Sequence, residues 1–99
     1  MYARVSHMSF HPGTTDEALA LFQTVILPSA RRQWGFRDVL IARIPDADRG
    51  LVITIWESEA ALLASAPPPE ITEALERWDA FIAEAAQTVY AVVTTTIAE

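Results

Sequence analysis

The sequence predicts an α+β domain of ferredoxin-like βαββαβ order, a four-stranded antiparallel sheet with two helices on one face. Three observations carry this. A 3.6-residue apolar period follows an early Pro-Gly turn, two β-rich runs flank one short loop of turn residues, and a second helical period follows three prolines. A chain of 99 residues suits a single domain spanning residues 1–99, and a domain of that size buries roughly two thirds of its unfolded surface.

Tyr2 to Phe10 reads as the first strand and stops at His11-Pro12-Gly13. Thr14 with Glu17 three positions later has capping-box spacing, and Asp16 and Glu17 suit the first turn of a helix. Ala18, Leu19, Leu21, Phe22, Val25, Ile26 and Ala30 form its apolar face. Pro28 lies inside the period and predicts a kink, because it lacks the N–H that would bond Thr24. Arg31 and Arg32 suit the negative end of the helix, Gly35 its stop, and the predicted end is Gln33 or Trp34.

Phe36–Ile44 and Leu51–Glu57 are extended and joined by Pro45-Asp46-Ala47-Asp48-Arg49-Gly50, which predicts a hairpin. Ser58 is an N-cap for a helical piece that Pro67-Pro68-Pro69 must end. A second piece begins at Pro69 or Glu70 and carries Ile71, Leu75, Trp78, Ile82 and Ala85 on one face, with Glu73, Glu76 and Glu84 on the other. Val89–Ile97, β-branched apart from Tyr90 and Ala91, is the expected fourth strand.

Composition removes several function classes. There is no cysteine, so disulfides, thiolate metal sites and cysteine nucleophiles are absent. All positive charge is Arg, which excludes Schiff-base lysine chemistry. A net charge of −6 argues against nucleic acid as a partner. The apolar residues, 52% of the chain, never run to the length of about twenty that spans a bilayer, so no membrane partner is expected. Ser6 and His7 interrupt any signal-peptide core, and a cytoplasmic location is the expectation. No nucleophile elbow, phosphate loop or metal-ligand spacing occurs.

The strands carry a further message. Leu51-Val52-Ile53-Thr54-Ile55-Trp56 and Val89-Tyr90-Ala91-Val92-Val93 hardly alternate apolar with polar residues, so both sheet faces are expected to be covered. Two helices cover one face. A second copy of the chain is the expected cover for the other, making a homodimer through the open sheet face, since an apolar patch of several hundred square ångströms signals an interface.

The first strand, Pro12-Gly13, a long helix with Pro28, Gln33-Trp34-Gly35-Phe36 and Ile55-Trp56-Glu57-Ser58-Glu59-Ala60 together resemble the antibiotic biosynthesis monooxygenase superfamily, the dimeric α/β-barrel proteins. The resemblance spans nearly the whole chain. It implies a dimeric α/β barrel binding a flat or aromatic small molecule in an apolar cavity, and a cofactor-independent monooxygenase with no cofactor and no metal. The alternative is a non-catalytic stress-response or ligand-binding module of the same fold. The heme-degrading branch depends on an Asn in the first strand and on a Trp and a His in the second helical region. Ser6 and Ser65 stand at the first two positions, and residues 59–86 contain no His, which disfavours that branch. Of the Asn, Trp, Tyr and Arg site of the cofactor-free oxygenases, Trp56 has a counterpart and Arg77 is a second candidate.

His7 and His11 are the only imidazoles, about 13 Å apart on a strand at ~3.3 Å per residue, too far to share a metal. His7 is the candidate general base if its side of the strand lines the cavity, against the commoner reading of a structural histidine. Arg4 is the candidate for orienting an anionic group, with an ion pair to a partner chain as the alternative. Trp56 is a candidate stacking wall beside the dimer cavity or else simple packing, Trp34 a candidate cap at the barrel mouth, and Trp78 a core residue. Which residues of the first strand face the cavity, the set with Arg4 or the set with His7, is left open by their mixed polarity.

Overall fold

A computed structural model of the chain describes residues 1–94. The strands are β1 (Tyr2–Phe10), β2 (Phe36–Arg43), β3 (Arg49–Trp56) and β4 (Ile82–Ala91). They form one sheet in the order β2-β3-β1-β4 with every neighbouring pair antiparallel, the ferredoxin-like α+β arrangement. The helices are α1 (Thr15–Leu21), which continues through a π-helical turn (Phe22–Ile26) into α2 (Leu27–Ala30), then α3 (Glu59–Ala64) and α4 (Thr72–Phe81).

Pro28 shapes the first helical region. The turn before it widens so that the Leu27 amide bonds the Phe22 carbonyl, five residues back. Such single π turns are the usual way a helix absorbs a local mismatch in its hydrogen-bond ladder. The regular helix ends at Ala30, short of the predicted Gln33, because Arg32 and Gln33 donate to carbonyls only three residues back, those of Ser29 and Ala30. The Thr14–Glu17 capping box does not form. The Thr14 hydroxyl donates instead to the His11 carbonyl at 2.7 Å, closing the Pro12-Gly13 turn. Ser58 does cap α3, its Oγ accepting from the Ala61 amide at 3.1 Å.

The largest departure from the sequence reading is at the end of the chain. The final helix stops at Phe81, and β4 starts at Ile82 where helix was predicted through Ala85; of the predicted strand Val89–Ile97, residues 89–91 are in β4 and residues 95–97 lie outside the described residues. Ala83, Glu84, Ala85 and Ala86 favour helix by themselves. They are drawn into the sheet because the free edge of β1 needs partners for its backbone N–H and C=O groups, and the ladder runs from Tyr2 opposite Ala91 to Phe10 opposite Ile82. Glu84 is thereby moved from a helix surface to the sheet.

The core lies between the helices and one face of the sheet. Phe10, Phe22 and Trp78 meet there, with Trp78 edge-on to Phe10 at 5.7 Å and tilted against Phe22 at 5.2 Å. A smaller cluster joins Trp56, Ala61 and Leu62 to Phe36, whose ring stands edge-on to Trp56 at 5.5 Å. None of the described residues covers the other face. Leu40 and Tyr90 are each 52% exposed there, beside the half-buried Val5, Ile53 and Ile55. Among the described residues no helix is long and apolar enough to cross a membrane.

Gly35 joins the two halves of the chain. Its φ of +75° is left-handed, and a Cβ added to it would stand 2.3 Å from the Cβ of Ala61, so α3 seats directly on the turn that opens β2. Gly35→Ala should lower stability by about 3 kcal/mol, combining left-handed strain with overpacking. Urea denaturation measures this, and a change under about 0.5 kcal/mol would show that the contact between α3 and the turn is not constraining.

Candidate functional site

Strand β1 alternates, and its two sides differ chemically. Arg4, Ser6, Met8 and Phe10 point toward the helices, whereas Ala3, Val5, His7 and Ser9 point to the uncovered face. A pocket of about 260 Å³ opens on the helix side between the sheet and the first and last helical regions. Its floor is Arg4, Ser6 and Met8 of β1, Val52, Thr54 and Trp56 of β3, and Gln87 of β4. Phe22, Ile26, Ser29 and Gln33 wall one side, and Ile71, Leu75 and Trp78 wall another, with Ser65-Ala66-Pro67 at the rim.

The Pro67-Pro68-Pro69 run sets the position of Arg4. It prevents α3 from continuing, so its last carbonyls lose their regular i+4 donors and the Leu62 carbonyl accepts instead from the Ser65 amide at 3.3 Å. The Arg4 guanidinium reaches the same carbonyl. Nη2 donates to the Leu62 carbonyl at 3.1 Å and Nη1 to Ser65 Oγ at 3.2 Å, while the Ser65 hydroxyl donates to the same Leu62 carbonyl at 2.6 Å. Both acceptors are neutral, and Arg4 is the only ionisable side chain among the described lining residues. A half-buried cation without a carboxylate keeps most of its capacity to attract an anionic or strongly dipolar group.

Trp56 is 2% exposed and fixed from two sides, by Phe36 and by its indole N–H, which donates to Thr54 Oγ1 at 3.0 Å. It forms a rigid apolar wall below the pocket. Gln87 donates to Ser6 Oγ at 3.1 Å and closes the side next to β4. The cavity thus combines three aromatic side chains, Phe22, Trp56 and Trp78, with one cation and several neutral polar groups.

The structure brings together Arg4 and Trp56 among the residues that sequence analysis singled out. The pocket they line belongs to one chain and lies under the helices, where the sequence reading had set Trp56 beside a cavity between subunits. His7 is on the opposite face, exposed, between Leu51 and Ala86 of the neighbouring strands. It borders a broader hollow of about 520 Å³ together with Arg49, Glu84 and Ala42. Trp34, 68% exposed, lies in the turn before β2, and Arg77 is on the solvent side of α4; neither lines the Arg4 pocket. Trp78 is in the core, as expected, and also touches the pocket. Among the described residues no three His, Asp or Glu side chains gather as a metal-ligand group. Ser29 and Gln33 were not singled out from sequence, although two polar residues interrupting the apolar stripe of Phe22 and Ile26 at helical spacing are the signal that marks them.

Residues 1–77 match the family model described as antibiotic biosynthesis monooxygenase. The chain belongs to this family. Solved structures of the same fold include SnoaB, a cofactor-independent oxygenase from Streptomyces nogalater, with a TM-score of 0.78 at 20% identity over 96% of this chain and 95% of that one. A protein of Mycobacterium tuberculosis superposes with a TM-score of 0.76 at 18% identity, over 97% and 98% of the two chains. Another antibiotic biosynthesis monooxygenase gives 0.76 at 14%, over 95% and 100%. No curated protein sequence matches the chain. At these identities the structural likeness establishes the fold, and the chemistry has to be argued from this chain's own residues.

Arg4→Met should destabilise this family member by about 1–2 kcal/mol, since it removes two charge-assisted hydrogen bonds at the end of α3 while the Leu62 carbonyl keeps the Ser65 amide and hydroxyl as donors. Thermal unfolding checks this. An unchanged Tm would show that water replaces the guanidinium at the end of α3 without penalty.

Proposed function

We propose that the protein binds a flat, one- or two-ring aromatic molecule in the Arg4 pocket and oxidises it with O₂ without a cofactor. The observation that carries the proposal is Arg4 as the single ionisable group among the described residues of a cavity walled by Phe22, Trp56 and Trp78. Family membership and the printed activity of SnoaB, a cofactor-independent oxygenase, support the reaction class. A volume of about 260 Å³ lies just below the range of about 300–1,000 Å³ usual for ligand pockets, which favours a small ligand.

Without a cofactor, the substrate itself must supply electrons to O₂, and an ionised phenol or enol does so far more readily than its neutral form. Arg4 would favour the ionised form by charge, and the aromatic walls would orient the ring and exclude water. For a substrate with a methylene activated by that ring, the balance is one oxygen atom inserted as a carbonyl and the other released as water with the two methylene hydrogens. The described lining residues include no His, Asp, Glu or Tyr. Proton removal therefore falls to solvent or to the substrate's own acidity, and His7 would enter only through the other face, in a cavity completed by a second subunit.

The same lack of a base favours the second reading, a non-catalytic ligand-binding module. Oxygen-electrode measurements with naphthols and with 2-tetralone, a two-ring ketone whose methylene is activated by the ring, separate the two. The proposal expects O₂ uptake that falls about 100-fold in Arg4→Met; ligand binding without O₂ uptake would select the module.

We also propose that a second copy covers the open sheet face. Leu40, Ile53, Ile55 and Tyr90 form an apolar surface there, and the residues of β4 from Ala83 onward are exposed on both faces. Ile53→Glu should convert a dimer to a monomer in light scattering. A wild-type monomer would overturn the pairing.

A further inference from the structure

Two polar atoms in the Arg4 pocket wall have no partner. Ser29 is 8% exposed, its Oγ is buried, and it has no hydrogen-bond partner among the described residues; the same holds for the buried Gln33 side-chain oxygen. Both residues line the pocket, four positions apart and so on one side of the chain as it leaves α2. Buried hydroxyl and amide groups are nearly always paired in folded proteins, because each was hydrogen-bonded to water before folding. Two adjacent exceptions beside one cavity mark a place where the missing partner arrives with the ligand.

We infer that Ser29 and Gln33 form a specificity pair that reads a hydroxyl group on the ring of the bound molecule. The inference rests on the Arg4 pocket being the ligand site. A hydroxyl fits both orphans at once, since it donates to the Gln33 carbonyl oxygen and accepts from Ser29 Oγ. Exchanging the oxygen and nitrogen of the Gln33 amide leaves the match intact, because a hydroxyl also accepts from an N–H. A ring without a hydroxyl leaves both groups unpaired, and discrimination of this kind is stronger than any that apolar contact provides. Arg4 lies across the cavity floor on β1, so the pair and the guanidinium can engage different positions of one ring system. Arg4 sets the charge of the ligand, and Ser29 with Gln33 sets which way round it lies.

Equilibrium dialysis with 2-naphthol and 2-methylnaphthalene, which differ by a hydroxyl in place of a methyl, tests the inference. The wild type should hold 2-naphthol about tenfold or more tightly than 2-methylnaphthalene. In Ser29→Ala/Gln33→Met the preference should fall to near unity, with 2-methylnaphthalene bound as well as before or better. The same variant should have a raised Tm, since it removes two unpaired buried groups. Affinity for the hydroxylated probe and stability thus move in opposite directions, which a purely structural role would not produce. An undiminished preference in the variant overturns the pair while leaving the pocket reading intact. Failure of both probes to bind the wild type overturns the pocket reading and the inference with it.

Discussion

The pleat of β1 is the constraint on which the rest of the protein depends. Successive side chains of a strand face opposite ways, so the central strand hands Arg4, Ser6 and Met8 to the helices and Val5, His7 and Ser9 to the outside. A slip of one residue would exchange the two sets, burying His7 and exposing Phe10. The register is held from both sides, by β3 from Tyr2 opposite Trp56 to Ser9 opposite Arg49, and by β4 along the same residues. Packing of Phe10 on Trp78 adds a penalty for any alternative.

From that division follow two surfaces with separate chemistry. On the helix side, three prolines end α3 early, the Leu62 carbonyl and Ser65 hydroxyl at its end hold Arg4, and the cation sits at the edge of an aromatic cavity. The π turn before Pro28 carries Phe22 and Ile26, and the chain beyond it carries Ser29 and Gln33, all onto the wall of that cavity. Local irregularities in both helical regions therefore serve one site. On the other side the sheet offers Leu40, Ile53, Ile55 and Tyr90 to a surface that the described residues leave uncovered.

The order of elements was legible because apolar period and turn residues agree with the final structure over most of the chain. The hairpin Phe36–Arg43 to Arg49–Trp56 and the Ser58 cap are read directly from the residues. The start of β4 was not, since Ile82-Ala83-Glu84-Ala85-Ala86 satisfies the helical period and its strand state is imposed by the vacant edge of β1, a tertiary demand. Thr14 and Glu17 had the spacing of a capping box, but the His11 carbonyl captured the hydroxyl. Within the site, Arg4 and Trp56 were visible as a charge in a strand and an aromatic at a strand end. Ser29 and Gln33 acquire meaning only when their lack of partners is seen in three dimensions. The sidedness of β1 was undecidable from sequence, because both sets of its residues mix polar with apolar.

Ligand entry on the Arg4 side of the sheet is tested most directly by backbone and indole N–H chemical shifts during a 2-naphthol titration. The predicted result is movement of the Trp56 indole N–H and of the Arg4, Ser29 and Gln33 amides, with His7 and Ala86 unmoved. Shifts confined to His7, Leu51 and Ala86 would place the ligand on the open face and contradict the account.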